Sequence, residues 1–406
     1  MAQPSAAALL PAERRVVASL AAIYAVRLLG MFLLLPVLSL HTGAMPGGTP
    51  LLAGLAVGAY GLTQALMQIP FGVWSDRIGR KPLIVVGLLL HVAGSVLGAV
   101  AGSAPALVVA RFVQGLGAVS GPVMAFLADL TRPESRTRAM FTIGMSIGVS
   151  FVISLVAGPL LAAAIGVSGV FLLIGGLGLV ALALVLFVLP AEQPLRRQAG
   201  ARDFSQVLTR KLLPHYAGIF MLHLTLTATF IAVPHVLRDL HGMDSSRHWL
   251  VYLGVFAASI VLTVPLVVWS ERSRPGRAAF VGGVGLAVAL AGLVWAQPAF
   301  DALLAALVLY FGAFNFLEAR LPAALTVAAG EVSRGAALGV FATCQFAGAF
   351  AGSLMGGVLL GSHWNVTGIF ACAAVVVVIW LPLAAASESQ QSGPIDGGRA
   401  AGGRLQ

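Results

Sequence analysis

Residues 69–82 read Ile69-Pro70-Phe71-Gly72-Val73-Trp74-Ser75-Asp76-Arg77-Ile78-Gly79-Arg80-Lys81-Pro82, passing from apolar to charged within a few residues. The apolar run before it, 51–73, and the one after it, 82–101, each match the roughly 20 residues that a membrane-spanning helix needs. Gly72 permits close helix contact, Gly79 permits a tight turn, and Pro82 suits the first turn of a helix. Asp76 is an acid at a membrane–water boundary, where it can dock on a helix N-terminus. The stretch is a short loop between two spanning helices. It also recurs: Ile69 to Arg77 aligns with Val264-Pro265-Leu266-Val267-Val268-Trp269-Ser270-Glu271-Arg272 at a constant offset of 195. Duplicated halves related by an axis along the membrane normal are a transporter architecture, with the substrate site between them near mid-membrane.

Outward from this pair, apolar runs fall at 16–40, 51–73, 82–101, 105–128, 137–164, 167–189, 213–237, 249–270, 278–297, 301–329, 334–361 and 364–385. The predicted fold is all-α and polytopic, with twelve spanning helices in two six-helix halves. Residues 1–189 form the first half and 213–385 the second. A polar linker at 190–212 divides them, and a Ser/Gly/Gln-rich tail at 386–406 is expected to be disordered.

Charged residues make up 9% of the chain against about 25% in a soluble domain. Mean hydropathy is +0.97. The net charge of +10 does not point to nucleic acid, because the basic residues sit in short loops rather than on a soluble domain. With the N-terminus in the cytoplasm, 19 of the 24 Lys and Arg residues fall in cytoplasmic segments and two, Arg238 and Arg247, in the opposite loops. The expected orientation therefore has both termini cytoplasmic, in a bacterial inner membrane. The apolar stretch after Glu13-Arg14-Arg15 is too long for a signal-peptide core and reads as the first spanning helix. Cys344 and Cys372 both lie in apolar runs, so neither a disulfide framework nor metal-ligand spacing is expected.

The loop Gly72-Val-Trp-Ser-Asp76-Arg77-Ile-Gly79-Arg80-Lys81 resembles the G-x-x-x-D-R-x-G-R-K signature of the major facilitator superfamily, in the right loop of the right half. Arg111-Phe-Val-Gln114-Gly115-Leu-Gly117-Ala118 is similar to that family's R-x-x-Q-G-x-G motif, and Asp129 to an acid that partners the loop's basic residues. Arg27-Leu-Leu-Gly-Met-Phe32 and Phe314-Asn315-Phe-Leu-Glu318-Ala-Arg-Leu-Pro322 resemble the drug:proton antiporter branch through essentially all twelve runs. The bacterial member nearest in pattern carries an added cytoplasmic C-terminal domain, and no regulatory role for such a domain is expected here. In the fifth run, Ala157-Gly158-Pro159-Leu-Leu-Ala162-Ala163 departs from the antiporter pattern G-P-x-x-G-G, which bears on the direction of transport. The resemblance implies that Asp76, Arg80 and Asp129, with Gly72, Arg77 and Gly79, form a latch against the N-terminus of the eleventh run. That latch would close the cytoplasmic side in the outward-facing state. The alternative is plain topology charge.

A charged group deep in a spanning helix costs about 2.5–3.5 kcal/mol on insertion scales, so such residues are paired, wet or functional. Glu318 is the one acid deep inside an apolar run. The resemblance implies that the first, fourth, seventh and tenth runs line the cavity, which makes Glu318 the candidate proton carrier. A local pair with Arg320 is the rival reading, although Arg320 lies nearer the cytoplasmic end and can snorkel. Arg27 stands for substrate binding, tuning of Glu318 or helix packing; Arg111 stands for proton coupling or packing. Asn315, Gln64, Gln68 and Gln345 are candidate polar contacts in the cavity, and Phe314, Phe316, Tyr24 and Tyr60 stand for an aromatic wall or, equally, for helix packing. His223, beside Thr225, Thr227 and Thr229, has some call on substrate contact, whereas packing is the favoured reading for it and for His91.

There is no phosphate-cradling loop, cofactor motif or catalytic constellation, so neither an enzyme nor ATP drive is expected. The expectation is a monomeric secondary transporter with a small-molecule substrate, the bilayer and protons as its partners. It exports small amphipathic compounds in exchange for protons. A proton-coupled importer of a polar nutrient and a sensor that keeps the fold without transport are the alternatives.

Overall fold

The computed structural model describes residues 9–190, 207–273 and 275–389, without the side chains of 133, 137, 275, 331–334 and 387–389. Most of the expected linker (191–206) and of the expected tail (390–406) lies outside the described residues. Every regular element in the described residues is helical. We number the spanning helices α1 (Pro11–Phe32), α2 (Pro50–Ile78), α3 (Arg80–Ala99) and α4 (Ala104–Leu130). Residues 134–188 follow as a helical stretch of 55 residues. A straight helix of that length would extend about 80 Å, far beyond a hydrocarbon core of about 30 Å. Gly166 (φ 70°, ψ 165°) divides it into α5 (133–165) and α6 (167–188). Only a residue without Cβ takes that backbone conformation readily.

The second half holds α7 (Leu213–Leu240), α8 (Ser245–Glu271), α9 (Gly276–Ala296), α10 (Phe300–Gly330), α11 (Gly335–Leu360) and α12 (Asn365–Ala386). Gly330 (φ 72°, ψ 179°) makes the turn between α10 and α11 as Gly166 does between α5 and α6. Outside the spans, Asp244 accepts from Ser246 N at 2.8 Å and caps the turn into α8. Hydrogen bonding from the Ser246 side chain, and then from its backbone N–H, holds the Asp244 carboxyl below the usual carboxylate range.

Two expected single runs are interrupted. After Phe32 the chain makes tighter turns, Leu35 N to Phe32 O and Val37 N to Leu34 O, before a short helix at Leu38–Ala44. Pro36 has no N–H to continue the helical ladder there. In α4 the ladder breaks between Gly115 and Ser120. Sequence hydropathy passes straight through both breaks, because no polar residue marks them.

The halves meet at the end opposite the basic loops. Gly54, Gly58 and Gly61 of α2 lie against Ser353, Gly357, Phe350 and Phe346 of α11 so closely that a Cβ on Gly54 would stand 2.4 Å from Ser353 O. Phe151 of α5 packs on Phe230 and Phe256 of α7 and α8 at ring centroid distances of 6.4 and 6.0 Å. At the basic end, Cβ atoms on Gly335 and Gly339 of α11 would meet nothing within 4 Å, in contrast to the closely packed seam at the opposite end.

Candidate functional site

In the N-terminal half the site is built on two buried arginines. Arg27 is 1% exposed, and its guanidinium donates to Ser120 Oγ and to Gln64 Oε1. Gln64 in turn donates from Nε2 to the carbonyls of Gly115 (2.6 Å) and Gly117 (3.2 Å), two groups at the break in α4. Freed helix carbonyls in a membrane interior need a donor, and this glutamine supplies one. Arg111, 2% exposed, donates to Ala56 O and Gln114 Oε1 and stacks on the Tyr60 ring at 4.9 Å. Gln114 then donates to Ser95 Oγ at 2.9 Å. Neither arginine has a carboxylate partner among the described residues, and the two networks tie α1, α2, α3 and α4 together.

In the C-terminal half, α7, α10 and α11 bring His223, Glu318 and Gln345 together. Gln345 Nε2 lies 2.7 Å from His223 Nε2. An amide nitrogen only donates, so His223 Nε2 accepts and the ring proton resides on Nδ1. His223 Nδ1 faces Glu318 Oε2 at 3.9 Å. That oxygen is buried without a hydrogen-bond partner among the described residues, yet 39% of the Glu318 side chain is exposed. One carboxyl oxygen of Glu318 is thus buried beside the His223 ring while part of the side chain is exposed, an arrangement that chemically can bind and release a proton. Glu318 does not pair with Arg320, which sits in a separate cavity beside His215.

The two halves of the site meet on α11. Phe346 lies under the Arg27 guanidinium at 6.0 Å, and its neighbour Gln345 holds His223. The other expected cavity residues are distributed differently. Asn315 donates to Ser259 Oγ at 3.2 Å, a contact between α10 and α8. Tyr60 is buried beneath Arg111, Gln68 is 6% exposed with Oε1 unpartnered among the described residues, and Tyr24 packs half-buried on the N-terminal core. His91 is buried against Gly30, with no partner for either ring nitrogen among the described residues. Sequence reading missed Ser120 and Phe346, since nothing along the chain marks a contact between runs, and it favoured simple packing for His223.

At the basic end Arg80 pairs with Asp76, lies 3.3 Å from Asp129 Oδ2 and donates to Ser75 Oγ at 2.8 Å. Gly79, at φ 119°, makes the turn that joins α2 to α3. Gly72 is buried close to Gly121 of α4, and Arg77 is exposed. The cluster thus joins α2, α3 and α4. The N-terminus of α11, against which the latch is expected to close, begins at Gly335; the side chains of 331–334 just before it are outside the described residues. A second tie joins α1 to the start of α5: Glu13 accepts from Arg132 N and Nε at 3.0 Å and from Ser135 Oγ at 2.9 Å. We expect Asp76→Asn to bring transport to background with membrane insertion and amount unchanged, measured as uptake or efflux against immunoblotted membranes. Normal transport by that variant would remove the latch from the account.

The sequence profile of the Major Facilitator Superfamily matches residues 20–317 and 215–401. The inner membrane transport protein YajR of Escherichia coli K12 is 40% identical over 380 residues, covering 92% of this chain and 83% of that protein. The multidrug resistance protein MdtH of Aeromonas hydrophila is 28% identical over 82% of this chain and 84% of its own length. Among solved structures, a bacterial homologue of the human lysosomal transporter Spinster, inward-facing and occupied, superposes with a TM-score of 0.74 at 19% identity. The superposition covers 95% of this chain and 98% of that one.

Proposed function

This chain belongs to the Major Facilitator Superfamily of membrane transporters, and from that premise we propose that it exports small amphipathic compounds in exchange for protons. The observation that carries the reading is Glu318. It is an acid deep in α10, placed beside the His223 ring with part of its side chain exposed. The multidrug resistance name borne by the MdtH relative supports export as the direction.

On this reading the basic end is cytoplasmic, and the conformation described above is open to the cytoplasm. Glu318 loads a proton when the cleft opens to the outside. Rocking of the halves closes α2 on α11, as found here, and turns the acid to the cytoplasm. Proton loss there leaves a carboxylate facing His223 Nδ1–H, and the cleft takes up its substrate.

The test is growth inhibition across a broad compound panel in a host stripped of its own exporters, with wild type compared to empty vector. Resistance to a class of amphipathic compounds, abolished by a protonophore, is the expected result. Resistance to none of them, together with proton-dependent uptake of a radiolabelled nutrient, would replace export by import.

A further inference from the structure

Away from the cleft, α7, α9, α10 and α12 enclose a small cavity at the basic end of the C-terminal half. His215, Arg320, Trp380, Ala279, Leu321 and Ala384 line it. Arg320 follows Glu318 by two residues, which on a helix turns it about 200° from the acid. It is therefore unavailable to the transport site. Arg320 Nε and His215 Nδ1 are buried without a hydrogen-bond partner among the described residues, and His215 is only 6% exposed. Trp380 Nε1 donates to Pro214 O at 2.9 Å and pins α12 to the first turn of α7. None of the described residues lining the cavity is acidic. Two cation-capable groups with orphaned nitrogens and no acidic residue in the described lining make a candidate site for an anion, because buried polar groups are normally satisfied.

The level of the cavity identifies the kind of anion. His215 is in the first turn of α7, Ala279 in the first turn of α9 and Ala384 in the last turn of α12, so the cavity opens where helices leave the hydrocarbon. Arg320 starts deeper and extends toward that level, as long cationic side chains do. Arg210 and Lys211 add exposed charge just before α7. Below this rim, Phe280 of α9 and Ile379 and Leu383 of α12 expose apolar surface, at 39%, 67% and 38%. We propose that the cavity binds a phosphate-bearing anion, the headgroup of an anionic lipid, with Arg320 and His215 as its donors and its acyl chains along α9 and α12. Guanidinium geometry suits phosphate oxygens, and basic pockets between helices at this level suit lipid headgroups.

The experiment uses the purified full chain in neutral detergent and follows its unfolding midpoint by tryptophan fluorescence. Phosphatidylglycerol, phosphatidylcholine and inorganic phosphate are added separately. Phosphatidylglycerol is expected to raise the midpoint of wild type by about 2–5 °C, as a ligand of the folded state does. Arg320→Gln and His215→Leu are expected to lose the rise, and Arg320→Lys to keep part of it. An equal rise from inorganic phosphate would keep the anion site and name a soluble source. No rise from either anion, an equal rise from phosphatidylcholine, or an equal rise in wild type and both neutral variants would overturn the proposal.

Discussion

Replacing Glu318 with glutamine is expected to reduce pH-driven transport by roughly 100-fold or more, the scale on which loss of a proton-transfer group acts. Glutamine keeps the size of the side chain and a polar tip, so the packing of α7, α10 and α11 is retained. It cannot carry a proton. Because it resembles the protonated acid, the form that on this reading crosses without substrate, the variant should lose both its response to a pH gradient and substrate-for-substrate exchange. His223→Gln makes a useful companion, since Gln345 then loses the acceptor it holds at 2.7 Å and Glu318 loses its N–H neighbour. We expect that variant to shift the pH profile of transport while leaving exchange in place. Proton-driven transport at the wild-type level in Glu318→Gln would instead remove Glu318 as the proton carrier.

The second large effect is expected at the contact between the halves. A Cβ on Gly58 would stand 2.1 Å from Ser353 Oγ and 3.1 Å from the Phe350 ring, and the neighbouring contact at Gly54 is with backbone. Gly58→Leu cannot fit into that seam without forcing α2 and α11 apart. Overpacking costs about 1–3 kcal/mol, which shifts a two-state equilibrium roughly 5- to 150-fold. Only the conformation closed at this end carries the cost, so the population moves to the one open there. Cysteine accessibility to an impermeant maleimide, from a probe near residue 357, should rise sharply, and turnover should fall by a similar factor. Unchanged accessibility would mean that α2 and α11 stay packed throughout the cycle.

Much of the fold is legible because a bilayer imposes a simple length rule. Twelve runs of suitable length and one repeated loop led to twelve helices in two halves. The turn between the fifth and sixth runs could be placed from Ile165-Gly166-Val167 only by that rule, since hydropathy does not change there. The breaks in α1 and α4 were not legible. They depend on Pro36, and on a glutamine from another helix that meets the carbonyls of Gly115 and Gly117. The site was legible to the extent that charge in lipid is costly: Glu318 and Arg27 stood out for that reason, and Arg111 for its place in the R-x-x-Q-G-x-G pattern. Ser120 and Phe346 did not, because they are ordinary residues until helix packing brings them to Arg27, and His223 and Gln345 were named singly without their contact with each other or with Glu318.

The central claim is that proton movement and export are one process. Inverted membrane vesicles, acidified by respiration and loaded with a pH-sensitive dye, test it directly once the panel has supplied a compound. Adding that compound should release protons from vesicles carrying wild type, in proportion to its uptake, and release none from vesicles carrying Glu318→Gln or from empty-vector vesicles. Uptake of the compound by wild-type vesicles with no proton release would contradict the account.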